Sequence, residues 1–201
     1  MERPVQELMT KHITVVGVGA LGSHLVQFLR SEDVTIRIID FDRVEQKNVQ
    51  SQFHGKPNVG KLKVASLKQS MQFLYGTKID TVSSKLVSDN ADALLSNSLV
   101  IDCLDNGESR KVIQDFVRSG PGNTHCLHGA LAPDGSFGRV IWDEQFVIDS
   151  EAGQGGATCE NGEFLPFIAI TSAYMARAAQ IFLATGKKVG FSISPNGVVA
   201  V

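Results

Sequence analysis

Apolar residues along this chain fall into short β-branched runs that alternate with stretches of helical period. Ile13, Thr14, Val15 and Val16 have the composition of a buried parallel strand, and Leu21, Leu25, Phe28 and Leu29 follow at helical spacing. Val34 to Ile39 reads as a second strand. Val64, Leu67, Met71 and Leu74 mark the buried face of a helix that begins near Gly60. Ile79 to Val82 is a third strand, Ser88 is placed to cap a short helix through Leu95, and Leu99 to Cys103 is a fourth strand. A helix from Glu108 to Arg118 is expected to bury Val112, Phe116 and Val117, before strands around Thr124 to Ala130 and Phe137 to Trp142. Asp143 to Glu160 carries Gly153, Gly155 and Gly156 with acids at Asp143, Glu144, Asp149 and Glu151, and is expected to be a mobile crossover loop. A long apolar helix, Phe164 to Thr185, and a hairpin around Asn196-Gly197 complete the pattern. Strands alternating with helices predict an α/β fold, a doubly wound Rossmann-like sheet, mostly parallel with antiparallel strands at the C-terminal end. One domain over 1–201 accounts for it, with residues 1 to 11 a polar lead-in.

The chemistry begins where the first strand ends. Gly17, Gly19 and Gly22 give G-x-G-x-x-G, a tight turn that lets backbone approach a phosphate at a helix N-terminus. Asp40 ends the second strand about 20 residues beyond that turn, where an acid can accept both ribose hydroxyls. The glycine turn alone also suits a tight structural turn, and with Asp40 it suits a nicotinamide dehydrogenase equally well. The next segment separates these readings, because about twenty polar residues after Asp40 make an unusually long βα connection. Lys61 and Lys63 close it, at a helix start where cations oppose the dipole. They are either solvated surface lysines or cations awaiting an anion. Leu104, Asp105 and Asn106 follow the fourth strand, at the sheet edge where open α/β folds bind ligands.

Bulk properties narrow the class. With 201 residues, 43% hydrophobic and 20% charged, the chain suits a globular domain. A net charge of -2 gives no reason to expect nucleic acid or a membrane surface. Cys103, Cys126 and Cys159 include no C-x-x-C pair, so a disulfide framework is not expected and reducing cytosol is favoured. The N-terminal residues lack the apolar stretch of a signal peptide. Pro166, Arg177 and Gln180 interrupt the long apolar helix, which reads as a buried helix rather than a membrane span.

Four ordered blocks then stand together: G-V-G-A-L-G-S (Gly17 to Ser23), D-F-D-R-V with Asn48 and Gln52 after it, V-G-K-L-K (Val59 to Lys63), and C-L-D-N-G-E-S-R (Cys103 to Arg110). T-C-E-N-G (Thr158 to Gly162) precedes the long helix. The combination resembles the ThiF/MoeB family, the adenylating fold shared with the activating enzymes of ubiquitin and ubiquitin-like proteins. The resemblance implies that a C-terminal carboxylate attacks the α-phosphate of MgATP to give an acyl-adenylate and pyrophosphate. It implies a nucleotide turn at Gly17, Gly19, Ala20 and Gly22, a ribose-binding Asp40, and amides at Asn48 and Gln52 for phosphate or ribose. Lys63 would neutralise the α-phosphate, and Asp105 would bind magnesium. Asp42, within the nucleotide-binding stretch, and Asn106 would support loop geometry. Arg110 would either pair with an acid and hold the loop or be solvated.

Departures from the family pattern accompany the match. Ser51 stands where the family usually has an arginine facing the leaving phosphates, and Arg43, Lys47 or Lys56 are the candidate substitutes. Only Arg3 is available for the family's N-terminal arginine, and the zinc-binding cysteine pairs of bacterial relatives are absent, so no zinc is expected. Cys159 aligns with a position of sulfur or thioester chemistry in some relatives. It is either a catalytic thiol or an unreactive one at the loop base. Cys103 and Cys126 read as buried small hydrophobes, and His125 and His128 as structural, while His54 lies on the nucleotide loop. The implied partner is a small ubiquitin-like or sulfur-carrier protein ending in glycine, with the chain a homodimer or a heterodimer with a related subunit. The alternative is a catalytically impaired partner subunit, which Ser51 favours and the retention of Lys63 and Asp105 opposes.

Overall fold

Alternation within each strand decides the architecture. In the computed structural model, residues 12–120, 124–132, 134–148, 162 and 164–201 are described. Val15, Ile38, Ile101 and Leu127 point into one apolar cluster, and their neighbours Val16, Ile39, Val100 and Cys126 point into another. Strands apolar on both faces need cover on both faces, and helices supply it. The strands are β1 (His12–Val16), β2 (Thr35–Ile39), β3 (Ile79–Val82), β4 (Leu99–Asp102), β5 (His125–Leu131), β6 (Gly138–Trp142), β7 (Phe191–Ser194) and β8 (Gly197–Ala200). The helices are α1 (Ala20–Phe28), α2 (Lys63–Tyr75), α3 (Ser88–Leu95), α4 (Gly107–Ser119) and α5 (Leu165–Thr185).

All eight strands form one sheet in the order β3-β2-β1-β4-β5-β6-β7-β8. The first five of these are mutually parallel, and β6, β7 and β8 join antiparallel, as the pattern predicts. β1 leads through α1 to β2 on one side, whereas β4 and β5 lie on the other. The crevice at the carboxyl ends of β1 and β4 is therefore the switch point of the sheet. The expected buried helix is α5, which packs on α1, β5 and β6 with Ile168, Met175, Ala178 and Ala179 fully buried. Its Ser172 hydroxyl donates to the Leu21 carbonyl at 3.0 Å, tying α5 to α1.

Several local expectations shift. Helix α2 starts at Lys63 rather than Gly60, and Leu74 is 52% exposed because the buried face of α2, through Val64, Ser66 and Leu67, ends at Met71. Ser88 is the first residue of α3 and not its cap; the Asn90 side-chain Oδ1 accepts from the Val87 N–H at 2.9 Å instead. The centre of the buried face of α4 is Ile113, with Val112, Phe116 and Val117 half-buried around it. The two residues joining β7 to β8 are Pro195-Asn196, one earlier than expected, since Ser194 pairs with Gly197. Proline's fixed φ rules out the primed turns and suits the first corner of a type I or II turn. Asp143, expected on a mobile loop, is buried in a short 3-10 turn (Asp143–Gln145), because Arg118 and His128 neutralise it. The rest of that loop from residue 149 to 161 lies outside the described residues.

Candidate functional site at the carboxyl ends of β1, β2 and β4

Three glycines shape the turn after β1 in different ways. Gly17 has φ +87°, in the left-handed region, and a Cβ there would come within 3.1 Å of the Cys103 carbonyl oxygen beyond β4. At Gly22 a Cβ would stand 1.9 Å from the Gly17 oxygen, so only glycine lets α1 approach the turn. Gly19 caps α1, and the nearest atom a Cβ there would meet is Gln52 Nε2 at 3.8 Å. Backbone N–H groups of the first turn of α1, Ala20 onward, are thus presented at an open glycine.

Asp40 braces this turn from the end of β2. Its Oδ2 accepts from the Val18 N–H and its Oδ1 from the Asp42 N–H, both at 2.8 Å. Burial raises its pKa, and the charge of nearby Lys63 and the two backbone donors pull the other way. The loop after it closes on itself. Lys63 N–H donates to the Asp42 carbonyl at 2.8 Å, Val44 N–H to the Lys61 carbonyl at 2.9 Å, and Gly60 N–H to the Val44 carbonyl at 2.8 Å. These bonds bring Lys63, first residue of α2, back beside Asp42, whose Oδ2 accepts from Lys63 Nζ at 3.1 Å. Lys63 is only 8% exposed, so the solvated reading holds for Lys61, which bonds Asn58 and Gln69, and fails for Lys63. A buried ammonium with one half-exposed carboxylate as partner is suited to exchange that partner for phosphate.

The amides divide their work. Asn48 is buried and turns its carbonyl oxygen to the Glu45 N–H at 2.8 Å, capping a 3-10 turn (Gln46–Gln50). Gln52 is different. Among the described residues its Oε1 is a buried acceptor with no hydrogen-bond partner, although its amide lies beside Gly19. A ribose hydroxyl, or with the amide turned over a phosphate oxygen, would supply the missing bond. Ser51 is fully buried, and its carbonyl accepts from His24 Nε2 at 3.1 Å. His54 belongs to the scaffold: its Nε2–H donates to the Val18 carbonyl at 2.9 Å and its Nδ1 accepts from the Ser66 hydroxyl at 3.1 Å. Burial, reinforced by Lys63 and His24, lowers its pKa to about 4.

Beyond β4 the chain presents Asp105, exposed, in the turn before α4. Asn106 caps α4 by accepting from the Ser109 N–H at 2.9 Å. Arg110 pairs with an acid, Asp102, and donates to the carbonyls of Leu104 and Gly129. The burial of two acids carries no signal in the sequence. Asp102 ends an apolar strand directly opposite His128 on β5, and Asp143 lies on the ring's other side. Burial works to lower the His128 pKa, but the Cys126 sulfur and the two carboxylates outweigh it and raise it to about 11. Cys126 is buried and Cys103 is partly buried against the core, and desolvation raises the pKa of both thiols. Cys159 and Arg3 fall outside the described residues; Gly162, just after Cys159, packs against Gln50. A lone Asp105 fits magnesium, which takes one or two carboxylates and completes its shell with phosphate and water.

Residues 2–189 match the sequence profile of the ThiF family. The chain is 38% identical over 114 residues to an adenylyltransferase and sulfurtransferase UBA4 of Lodderomyces elongisporus, covering 55% of this chain and 25% of that protein. It is 33% identical over 105 residues to the molybdopterin-synthase adenylyltransferase of Salmonella typhimurium, covering 50% and 42%. The SAMP-activating enzyme E1 of Haloferax volcanii is 28% identical over 151 residues, 68% of this chain and 55% of that one. The chain therefore spans from a quarter to about half the length of these relatives. Among solved structures, E. coli MccB with ATP superposes with a TM-score of 0.74 at 13% identity, over 96% of this chain and 63% of that one. PaaA superposes with a TM-score of 0.71 at 16% identity, over 96% and 64%. At these identities the likeness is one of fold.

Proposed function

The chain belongs to the ThiF family, and from that premise we propose that it adenylates the C-terminal carboxylate of a small ubiquitin-like or sulfur-carrier protein with MgATP. The observation that carries this reading is the buried Lys63, held by Asp42 and close enough to Asp40 to bias its titration. Hydride transfer in a nicotinamide site develops no charge on phosphorus, so it gives such a cation no catalytic work, whereas attack at an α-phosphate does. In the proposed reaction a carboxylate oxygen forms a bond to the α-phosphorus, and the bond from that phosphorus to the bridging oxygen breaks, releasing pyrophosphate. Lys63 exchanges Asp42 for the α-phosphate and offsets charge that grows as the bond forms. Asp40 and Gln52 orient the ribose, and the glycine turn at Gly17, Gly19, Ala20 and Gly22 receives the phosphates. Asp105 would hold magnesium, which when bound neutralises the departing pyrophosphate. The relatives named for adenylyltransferase activity support the reaction class. A cytoplasmic dimer, with itself or a related subunit, belongs to the same reading, with exposed Ile170 of α5 and Val199 of β8 as candidate contacts.

Ser51 supports a second reading, an impaired partner subunit, because no guanidinium stands at that buried position. Exchange of labelled pyrophosphate into ATP separates the two. With a ubiquitin-like sulfur carrier ending in a free glycine, the chain is expected to catalyse exchange, and the same carrier amidated at its C-terminus is not. Lys63→Ala is expected to lower the rate about a hundredfold, the scale of losing one preorganised charge donor. A carrier that binds yet supports no exchange establishes the partner-subunit reading instead.

A further inference from the structure

Behind the Asp105 turn five charged side chains stand in a line of alternating sign: Arg110, Asp102, His128, Asp143 and Arg118. Arg110 Nε lies 3.4 Å from Asp102 Oδ2, and His128 Nδ1 lies 2.8 Å from the same oxygen. His128 Nε2 is 3.1 Å from Asp143 Oδ1, and Arg118 Nε is 2.8 Å from Asp143 Oδ2. Both partners of the ring are carboxylate oxygens, so both ring nitrogens donate. The ring is fully buried and stacks on Phe146, centroids 4.0 Å apart and planes 11° from parallel. Asp102, His128 and Asp143, the middle three, are buried, and buried charges are a costly way to hold a fold, since an apolar cluster of similar size does as well or better. What distinguishes this line is where it ends.

Asp102 uses its other oxygen, Oδ1, to accept from the Leu104 N–H at 2.9 Å. Arg110 Nε donates to the Leu104 carbonyl at 2.9 Å, and its Nη2 to the Gly129 carbonyl at 2.7 Å. The peptide groups on both sides of Leu104 are thereby fixed, and the next residue is Asp105, whose direction follows from theirs. Remove the charge of His128 and Asp102 becomes a buried carboxylate balanced by Arg110 alone, which must turn toward it and away from Leu104. We infer that His128 is a positioning residue for Asp105: through Asp102 and Arg110 it holds the turn that presents the magnesium-binding carboxylate to MgATP. This inference rests on the adenylation reading and deepens it. His128 touches neither nucleotide nor Asp105; it acts through two intermediaries.

Calorimetric titration with ATP, once with magnesium and once with EDTA, tests it on wild type, His128→Gln, Asp105→Asn and the double variant. His128→Gln is expected to weaken MgATP binding about tenfold, within the range for outer partners of metal ligands, and to leave metal-free ATP binding unchanged. In the Asp105→Asn background it is expected to add nothing. Equal weakening of both forms of ATP, or full additivity in the double variant, overturns the inference and leaves a purely structural histidine. If the wild type binds ATP in neither buffer, the adenylation reading fails and this inference with it. If only Asp105→Asn blunts the magnesium effect, the inference alone fails. Should His128→Gln not fold, the isosteric Asp143→Asn withdraws charge from the far side of the ring, and the same two comparisons decide.

Discussion

A single methyl group at Gly22 would meet the Gly17 oxygen at 1.9 Å, and backbone cannot retreat as a flexible side chain can. Gly22→Ala is therefore expected to cost about 3 kcal/mol through forced displacement of α1, read as a lower urea midpoint. His54 and His128 act on stability in opposite pH ranges. The His54 pKa is lowered in the fold, so between its ordinary value of 6.5 and about 4 the unfolded chain binds the extra proton. Its contribution is complete above 6.5 and is lost as pH falls through that window, by up to about 1.4 kcal/mol per pH unit. The His128 pKa is raised, so its contribution is complete below 6.5 and is lost as pH rises toward about 11. Urea unfolding of wild type and His54→Asn across the acid window checks the sign: the variant is expected to show the shallower acid slope. An equal slope would assign the acid sensitivity to other groups.

At the scale of elements, the connection between β2 and α2 is the part that binds structure to chemistry. Its ends are zipped by backbone bonds between residues 42–44 and 60–63, which turns a long loop into a rigid mount for Lys63. Helix α4 plays the matching part on the other side of the crevice. Asn106→Ala removes its cap and is expected to cost about 1 kcal/mol, measurable as a lower urea midpoint, since Ser109 N–H then loses its acceptor. What was legible in the sequence followed from local rules. The glycine turn, Asp40 at a strand end and the alternating strands are each written within a few neighbouring residues. The Asp102–His128–Asp143 line was not legible, because it joins three elements through strand register: Asp102 lies opposite His128 only once β4 and β5 are aligned. The burial of Lys63 depends likewise on a loop closing over 21 residues of separation. Ser88 and Asn196-Gly197 misled for a different reason, since Asn90 and Pro195 offered competing local solutions that won.

In the whole molecule, sheet order brings the pieces together. β1 and β4 are adjacent but are connected to opposite halves of the sheet, so the glycine turn, the Asp40–Lys63 loop and the Asp105 turn converge on one crevice. The antiparallel extension β6-β7-β8, with α5 against it, buttresses that edge through β5, which carries His128 and Gly129. The adenylation reading requires that this crevice take the triphosphate of ATP in preference to a nicotinamide dinucleotide. Calorimetry on the wild type and Lys63→Ala, titrated with MgATP and separately with NAD, tests it most directly. MgATP is expected to bind the wild type and to bind Lys63→Ala about tenfold or more weakly, and NAD is expected to bind neither. Binding of NAD with silence toward MgATP would contradict it.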